Sequence, residues 1–245
     1  VIVDQKNSFL TQRQIPALAT IRVAKTKESL MLSHPDIEPL QVPLGTEHFE
    51  ESTPVQFTIW KDQSMGFDEG PEVSNWLTKI LGEYKGAPLR MLRYSQNHKR
   101  RVREKYTDNR EAHFKFADAC PYLIVNDASL TALNDILQSN GHESVTMDRF
   151  RGNIEITGIG AWQEYECQTM STEQITLQGE GPCMRCPMTA INQFTGETKE
   201  TGQPLQTLMQ LNIPAEKQGA YFGMHATFIS GSGKTLKVGD VLELL

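Results

Sequence analysis

The chain has no run of about 18 or more apolar residues, so no membrane-spanning helix is read from it. Its first twenty residues lack a basic stretch followed by an apolar one; no secretory leader is read there, and the expected setting is the cytoplasm. Basic residues are in deficit, with 24 Lys and Arg against 30 Asp and Glu, for a formal charge of −6. An acidic surface is a poor partner for phosphate backbones, which argues against general nucleic-acid binding; any anion must be held by a local cluster. Cysteine is also scarce. Cys120, Cys167, Cys183 and Cys186 are too few for the disulfide framework of a small secreted domain, and a reducing compartment fits them better. Fixed-period repeats and low-complexity tracts are missing, which removes solenoid folds.

What remains is a soluble-type composition, 38% hydrophobic over 245 residues, enough for one large or two modest cores. Val1–Asp4 and Ser8–Thr11 read as a hairpin turning at Gln5-Lys6-Asn7, and Ala19–Ala24, Glu28–Leu32 and Val55–Trp60 continue as strands. The spacing of Val73, Trp76, Leu77 and Ile80 predicts a helix over 72–81, stopped by Gly82. A second helix is expected from Ala128 to Ser139, capped by Asn126 or Asp127 and ended by Gly141, and a third from Leu205 to Leu211. Further strands are read at 122–125, 154–156, 174–177, 226–229 and 241–245. The fold class is mainly β with inserted helices (α+β). A boundary is placed near the charge run Lys99–Lys105, giving domains 1–105 and 106–245. That run reads as a solvated strand or loop, or as an electropositive rim for an anionic ligand.

The closely spaced pair Cys183 and Cys186 is the sharpest local feature, because neighbouring Arg185 and backbone amides favour a thiolate. Several chemistries stay open at this point. A structural zinc site would want a second Cys-x-x-Cys or a histidine pair, and neither occurs. A thioredoxin-like pair should open a helix, whereas Pro187 through Thr195-Gly196 reads as strand and turn. Plain buried cysteines are the bland alternative. In Asp148–Asn153, Arg149 and Arg151 at i and i+2 would share one face of an extended segment and suit bidentate phosphate binding, with Asn153 adding an amide; solvated surface arginines are the alternative. Gly231-Ser232-Gly233-Lys234-Thr235 mimics a phosphate loop, but Phe228 stands where its first glycine belongs, so a turn is read instead. The six histidines show no metal-ligand spacing and receive no role.

Four segments, Phe9–Gln14, Phe116–Leu123, Phe150–Asn153 and Cys183–Thr189, occur in an order and spacing that resembles MOSC-domain proteins, and the likeness extends through Lys237-Val238-Gly239-Asp240. Within that family the chain resembles bacterial relatives of the mitochondrial amidoxime reducing component. The resemblance implies an N-terminal β domain followed by a MOSC-type β-barrel, with a molybdenum-molybdopterin cofactor in a cleft between them. It implies that Cys186 is the thiolate ligand to molybdenum, a soft donor for a soft centre. Asp118 is the implied proton-handling residue. Arg13, Cys120, Arg149, Arg151, Asn153, Cys183, Arg185 and Thr189 are implied at the cofactor. The implied activity is reduction of N-hydroxylated or N-oxide compounds by oxygen removal; the alternative is a non-catalytic cofactor carrier or sulfur-transfer module. MOSC domains also carry a domain-level association with pyridoxal phosphate.

Two departures from the family pattern stand out: Gly152 where proline is usual, and Cys120 where a serine or other small residue is common. Relatives begin with a further strand and basic segment, so the first domain is expected to be truncated. Some bacterial relatives continue into a two-iron two-sulfur domain, whose cysteine set this chain lacks before Leu245. The implied electron source is therefore a separate ferredoxin-like or flavin partner, or a lost domain.

Overall fold

A computed structural model describes residues 1–49, 52–107 and 110–245. The chain divides into two compact units, one of Val1–Lys99 with Ile191–Thr198, the other of Arg100–Ala190 with Lys199–Leu245. Among the described residues no helix is long and apolar enough to cross a membrane.

The first unit holds strands β1 (Ile2–Val3), β2 (Phe9–Leu10), β3 (Arg22–Lys25), β4 (Ser29–His34), β5 (Ile37–Pro43), β6 (Val55–Ile59), β7 (Asp62–Asp68) and β8 (Arg90–Tyr94). The predicted hairpin forms, with Ile2 opposite Leu10 and Val3 opposite Phe9. Its sheet runs β2-β1-β8-β7-β6, and a bridge from Ser8 to Thr58 joins the two outer strands, so the sheet closes on itself. Helix α1 (Pro71–Leu81) starts on Pro71 and ends at Gly82, as its spacing predicts, and buries Val73, Trp76 and Leu77 against Leu10, Leu40 and Leu89. The strand expected over Ala19–Ala24 is corrected. Pro16 sets the backbone of a 3₁₀ turn, Pro16–Thr20, which Thr20 Oγ1 closes onto the Ala17 carbonyl, and extended structure starts only at Arg22.

The second unit contains β9 (Arg100–Arg101), α2 (Glu104–Thr107), β10 (His113–Phe114), β11 (Tyr122–Asn126), α3 (Asp127–Ser139), β12 (Ile154–Ile156), β13 (Thr169–Ser171), β14 (Thr176–Met184), α4 (Leu205–Leu211), β15 (Tyr221–Ser230) and β16 (Glu243–Leu244). Asn126 caps α3 by accepting from the Ala128 N–H at 3.1 Å. The main sheet, β12-β11-β15-β14-β13-β16, is a half-barrel whose edges, among the described residues, are β12 and β16. Alternation sorts its faces. Ile124, Met224, Ala226, Leu177 and Met170 fill one side, while Val125 and Phe222 pack on the other against Leu133 and Leu137 of α3 and Leu208 of α4.

Two expected strands are longer than the apolar runs that announced them. β14 continues from Leu177 through Gly179, Glu180, Gly181 and Pro182, with register shifts at both glycines and after Pro182, and β15 begins five residues before Ala226. Glycine normally weakens a strand. Here a Cβ at 179 would lie 2.4 Å from the Cys167 carbonyl oxygen, so the close approach requires glycine. Two more expectations fail. Pro187–Ala190 is a 3₁₀ turn instead of a strand, and Met147–Phe150 is another, with Arg151 left-handed at φ 57°, so Arg149 and Arg151 do not share an extended face. The charge run is not wholly solvated either. Arg100 is buried and donates Nη1 to the Lys115 and Ala117 carbonyls at 2.8 and 3.0 Å.

Candidate functional site

The site is built where β14 leaves the sheet. Met184 still pairs with Tyr221, and the Arg185 N–H continues the ladder by donating to the Ala220 carbonyl at 2.8 Å. This fixes the Arg185 backbone and turns its side chain inward. There Nη1 donates to Cys183 Sγ at 3.0 Å and Nη2 to the Phe150 carbonyl at 2.7 Å. Its Nε is buried with no partner among the described residues. Cys186 follows on a half-buried turn, and its carbonyl accepts from both the N–H and the Oγ1 of Thr189 at 3.1 Å. Arg149 donates Nη1 to the Ala190 carbonyl at 2.9 Å. The turns 147–151 and 185–190 are thereby laced together twice, once by Arg185 and once by Arg149.

Electrostatics show which other groups share this place. Burial pushes the Cys183 thiol up, Arg185 opposes that by charge and hydrogen bond, and Asp118 and Cys186 add to the rise. Cys120 is pushed up to about 12, by burial first and then by Glu180 and Cys183, with Lys105 opposing. It packs in an apolar cluster with Val102 and Phe114. Asp118 is exposed on the segment that Arg100 pins through the carbonyls on either side of Phe116. Glu180 is aimed inward by the flanking bulges and is bonded to Arg110 and Thr227 Oγ1.

Of the residues singled out in the sequence, Asp118, Cys120, Arg185 and Cys186 thus each lie within electrostatic reach of Cys183, and Thr189 and Arg149 brace the turn that carries Cys186. Asn153 serves the sheet: its Oδ1 accepts from the Leu123 N–H at 2.8 Å and its own N–H donates to the Leu123 carbonyl. Arg151 and Asn153 line a groove between β12 and the segment 236–244. Arg13 belongs to the first unit, exposed, with its guanidinium 4.6 Å from the centroid of the Trp60 ring. Gly152 lies against Val125, whose Cγ2 would be 2.6 Å from an added Cβ.

His225 was given no role from the sequence, yet it sits in this cluster. It lies opposite Gly181 in β14, edge-on to the Tyr106 ring at 5.3 Å. Burial lowers it to about 4, helped by Arg185 and opposed by Asp118. No local signal marks it, because its neighbours come from three separate stretches of chain.

The MOSC domain model matches residues 111–243, and the MOSC N-terminal beta barrel domain model matches residues 1–84. Molybdenum cofactor sulfurase of Bos taurus is 28% identical over the whole chain, and those of Drosophila yakuba and Drosophila persimilis are 32% and 30% identical over 98% and 99% of it. The chain spans 28 to 29% of the length of these relatives. It belongs to the MOSC family, with a MOSC N-terminal beta barrel domain ahead of its MOSC domain.

Proposed function

We propose that this chain is a molybdenum-cofactor oxidoreductase that reduces N-hydroxylated or N-oxide compounds, with Cys186 as the thiolate ligand to the metal. The observation that carries the reading is a half-buried cysteine on a braced turn, directly following an anchored arginine. The Cys186 carbonyl is held by Thr189, and the preceding residue, Arg185, has a buried Nε without an acceptor among the described residues. A soft sulfur donor and an unsatisfied guanidinium N–H fit a cofactor of soft metal and anionic oxygens. When bound, the cofactor supplies a two-electron, oxygen-accepting centre.

The chain's own residues do the rest. Arg185 and Thr189 orient the turn that presents Cys186. Arg149 braces that turn, and Arg151 with Asn153 offers further donors on the neighbouring segment. Asp118, on the loop pinned by Arg100, delivers a proton to the departing oxygen. The overall reaction, R–NHOH + 2 H⁺ + 2 e⁻ → R–NH₂ + H₂O, takes its electrons from a ferredoxin-like or flavin partner or from an iron-sulfur domain outside this sequence.

A second reading, a sulfur-transfer or cofactor-carrier module, is favoured by the names of the sulfurase relatives. Protein made in a cofactor-competent host separates the two by molybdenum content and by benzamidoxime reduction with reduced methyl viologen. The reductase reading expects both, and expects Cys186→Ala to lose both. A molybdenum-loaded chain that leaves benzamidoxime untouched supports the second reading. Full activity in Cys186→Ala overturns the assignment of the ligand.

A further inference from the structure

The β6–β7 hairpin of the first unit turns in two residues. Ile59 is paired with Asp62, so Trp60 and Lys61 form the whole loop. Trp60 is left-handed there, at φ 55°. A two-residue hairpin loop with that conformation at its first position favours glycine, and a bulky side chain in it is strained. The half-buried indole has two neighbours from the start of the chain. Phe9 meets it edge-on at 5.7 Å and 89°, and the Arg13 guanidinium carbon lies 4.6 Å from its centroid. The Ser8–Thr58 bridge brings these segments side by side.

Arg13 is held at both ends. Its turn is closed by Thr11, whose carbonyl accepts from the Gln14 and Ile15 N–H groups at 3.0 Å. Thr11 Oγ1 donates to Gln14 Oε1 at 2.8 Å and accepts from the Arg13 N–H at 3.1 Å. Gln12, beside it, is anchored on Gln193. At the other end the exposed guanidinium rests on Trp60. Among the described residues it forms no ion pair, although acidic groups outnumber basic ones in the chain.

Ring contacts of this kind return much the same free energy as the strain costs, so stability gives little preference for tryptophan over glycine at this turn. The effect on Arg13 is what distinguishes the indole. A guanidinium already stacked on a ring has given up its side-chain freedom before any ligand arrives, and its N–H groups remain for a forked contact with oxygens. We infer that Trp60 is a positioning residue that presets Arg13 as a receptor for a phosphate-type oxyanion. Two sources share that chemistry: free phosphate, and the phosphate monoester of a bound molybdopterin, which rests on the cofactor reading above.

The Arg13 Nε–H resonance, identified by its disappearance in Arg13→Gln, is followed in the cofactor-free chain as inorganic phosphate is added, with chloride at equal ionic strength as the blank. Phosphate is expected to shift it saturably. Trp60→Gly removes ring and strain together, and phosphate affinity is expected to fall about two- to fivefold, the worth of an exposed cation–π contact. Trp60→Phe restores most of it, while Trp60→Leu, which keeps bulk without a π face, binds as weakly as the glycine variant. An Arg13 signal that phosphate leaves in place overturns the inference. So does full-strength binding by the glycine or leucine variant, or a phenylalanine variant no better than either. Pterin and molybdenum retained by protein from a cofactor-competent host separate the two sources. Loss in Trp60→Gly but not in Trp60→Phe upholds the inference with the cofactor as the source. Unchanged retention beside weakened phosphate binding upholds it with free phosphate. A chain that never loads molybdenum counts against the cofactor reading alone, and the phosphate titration still decides the role of Trp60.

Discussion

Arg185 donates to the sulfur of Cys183 at 3.0 Å, and the same guanidinium reaches the Phe150 carbonyl at 2.7 Å, so one side chain ties the end of β14 to the turn bearing Arg149 and Arg151. Arg185→Gln keeps the length of a polar chain but loses the charge and the fork. A charged hydrogen bond is lost to a partly buried carbonyl, at a cost of about 2 kcal/mol in urea unfolding. Native-state alkylation of Cys183 should also slow, since the cation that opposes burial at this thiol is removed.

Cys120 offers a titration. Its thiol is pushed up to about 12, chiefly by burial, so its alkylation in the folded protein should still be climbing at pH 10, where an ordinary thiol has levelled off. Peptide mapping after timed iodoacetamide labelling gives the profile. A plateau near pH 9 would contradict the burial seen here.

Gly152 is predicted to resist even a methyl group. Gly152→Ala puts a Cβ about 2.6 Å from Val125 Cγ2 and should destabilise the second unit by about 1–3 kcal/mol. Combining it with Val125→Ala should show a favourable coupling in a double-mutant cycle, because the clash and its partner vanish together.

Glu164 is completely buried, accepting from Asn126 Nδ2 at 3.0 Å and from Ser129 Oγ at 2.9 Å. Burial raises its pKa above the usual 4.5. A carboxyl whose folded pKa is raised binds its proton more tightly in the folded state, so stability falls as pH climbs from the unfolded value through the folded one. Urea midpoints should therefore drop with rising pH above about 4.5 in the unaltered protein, and drop less in Glu164→Gln.

In the first unit, the side chains of Gln12 and Gln193 are buried and exchange two amide hydrogen bonds, each 2.9 Å. Truncating either to alanine strands its partner and should cost about 1–3 kcal/mol; replacing both with leucine should cost less than the two single changes together.

Features that depend on neighbours in sequence were legible. The Leu205–Leu211 helix, the 154–156 strand and the Asn126 cap all follow from local spacing and capping chemistry. Order along the chain was enough to recognise the family. Features set by pairing between distant segments were not. β14 passes through glycines and a proline because β15 and the Cys167 carbonyl hold it there, and His225 gains its setting only by lying opposite Gly181. Arg100 read as one more surface charge in a basic run, since the carbonyls that bury it lie fifteen and seventeen residues away. Arg149 and Arg151 misled through backbone geometry: a left-handed residue at 151 breaks the two-residue period on which the shared face depended.

The first unit is discontinuous, with residues 191–198 returning to it after most of the second has been laid down. Gly196 needs its positive φ there, with Pro16 and Ala17 within 3.2 Å of where a side chain would start. During synthesis, therefore, the closed sheet can form from the first hundred residues, but the unit's packing is finished only when 191–198 emerge. Until that segment arrives, Gln12 is without the amide partner it has in the finished unit and is left to water.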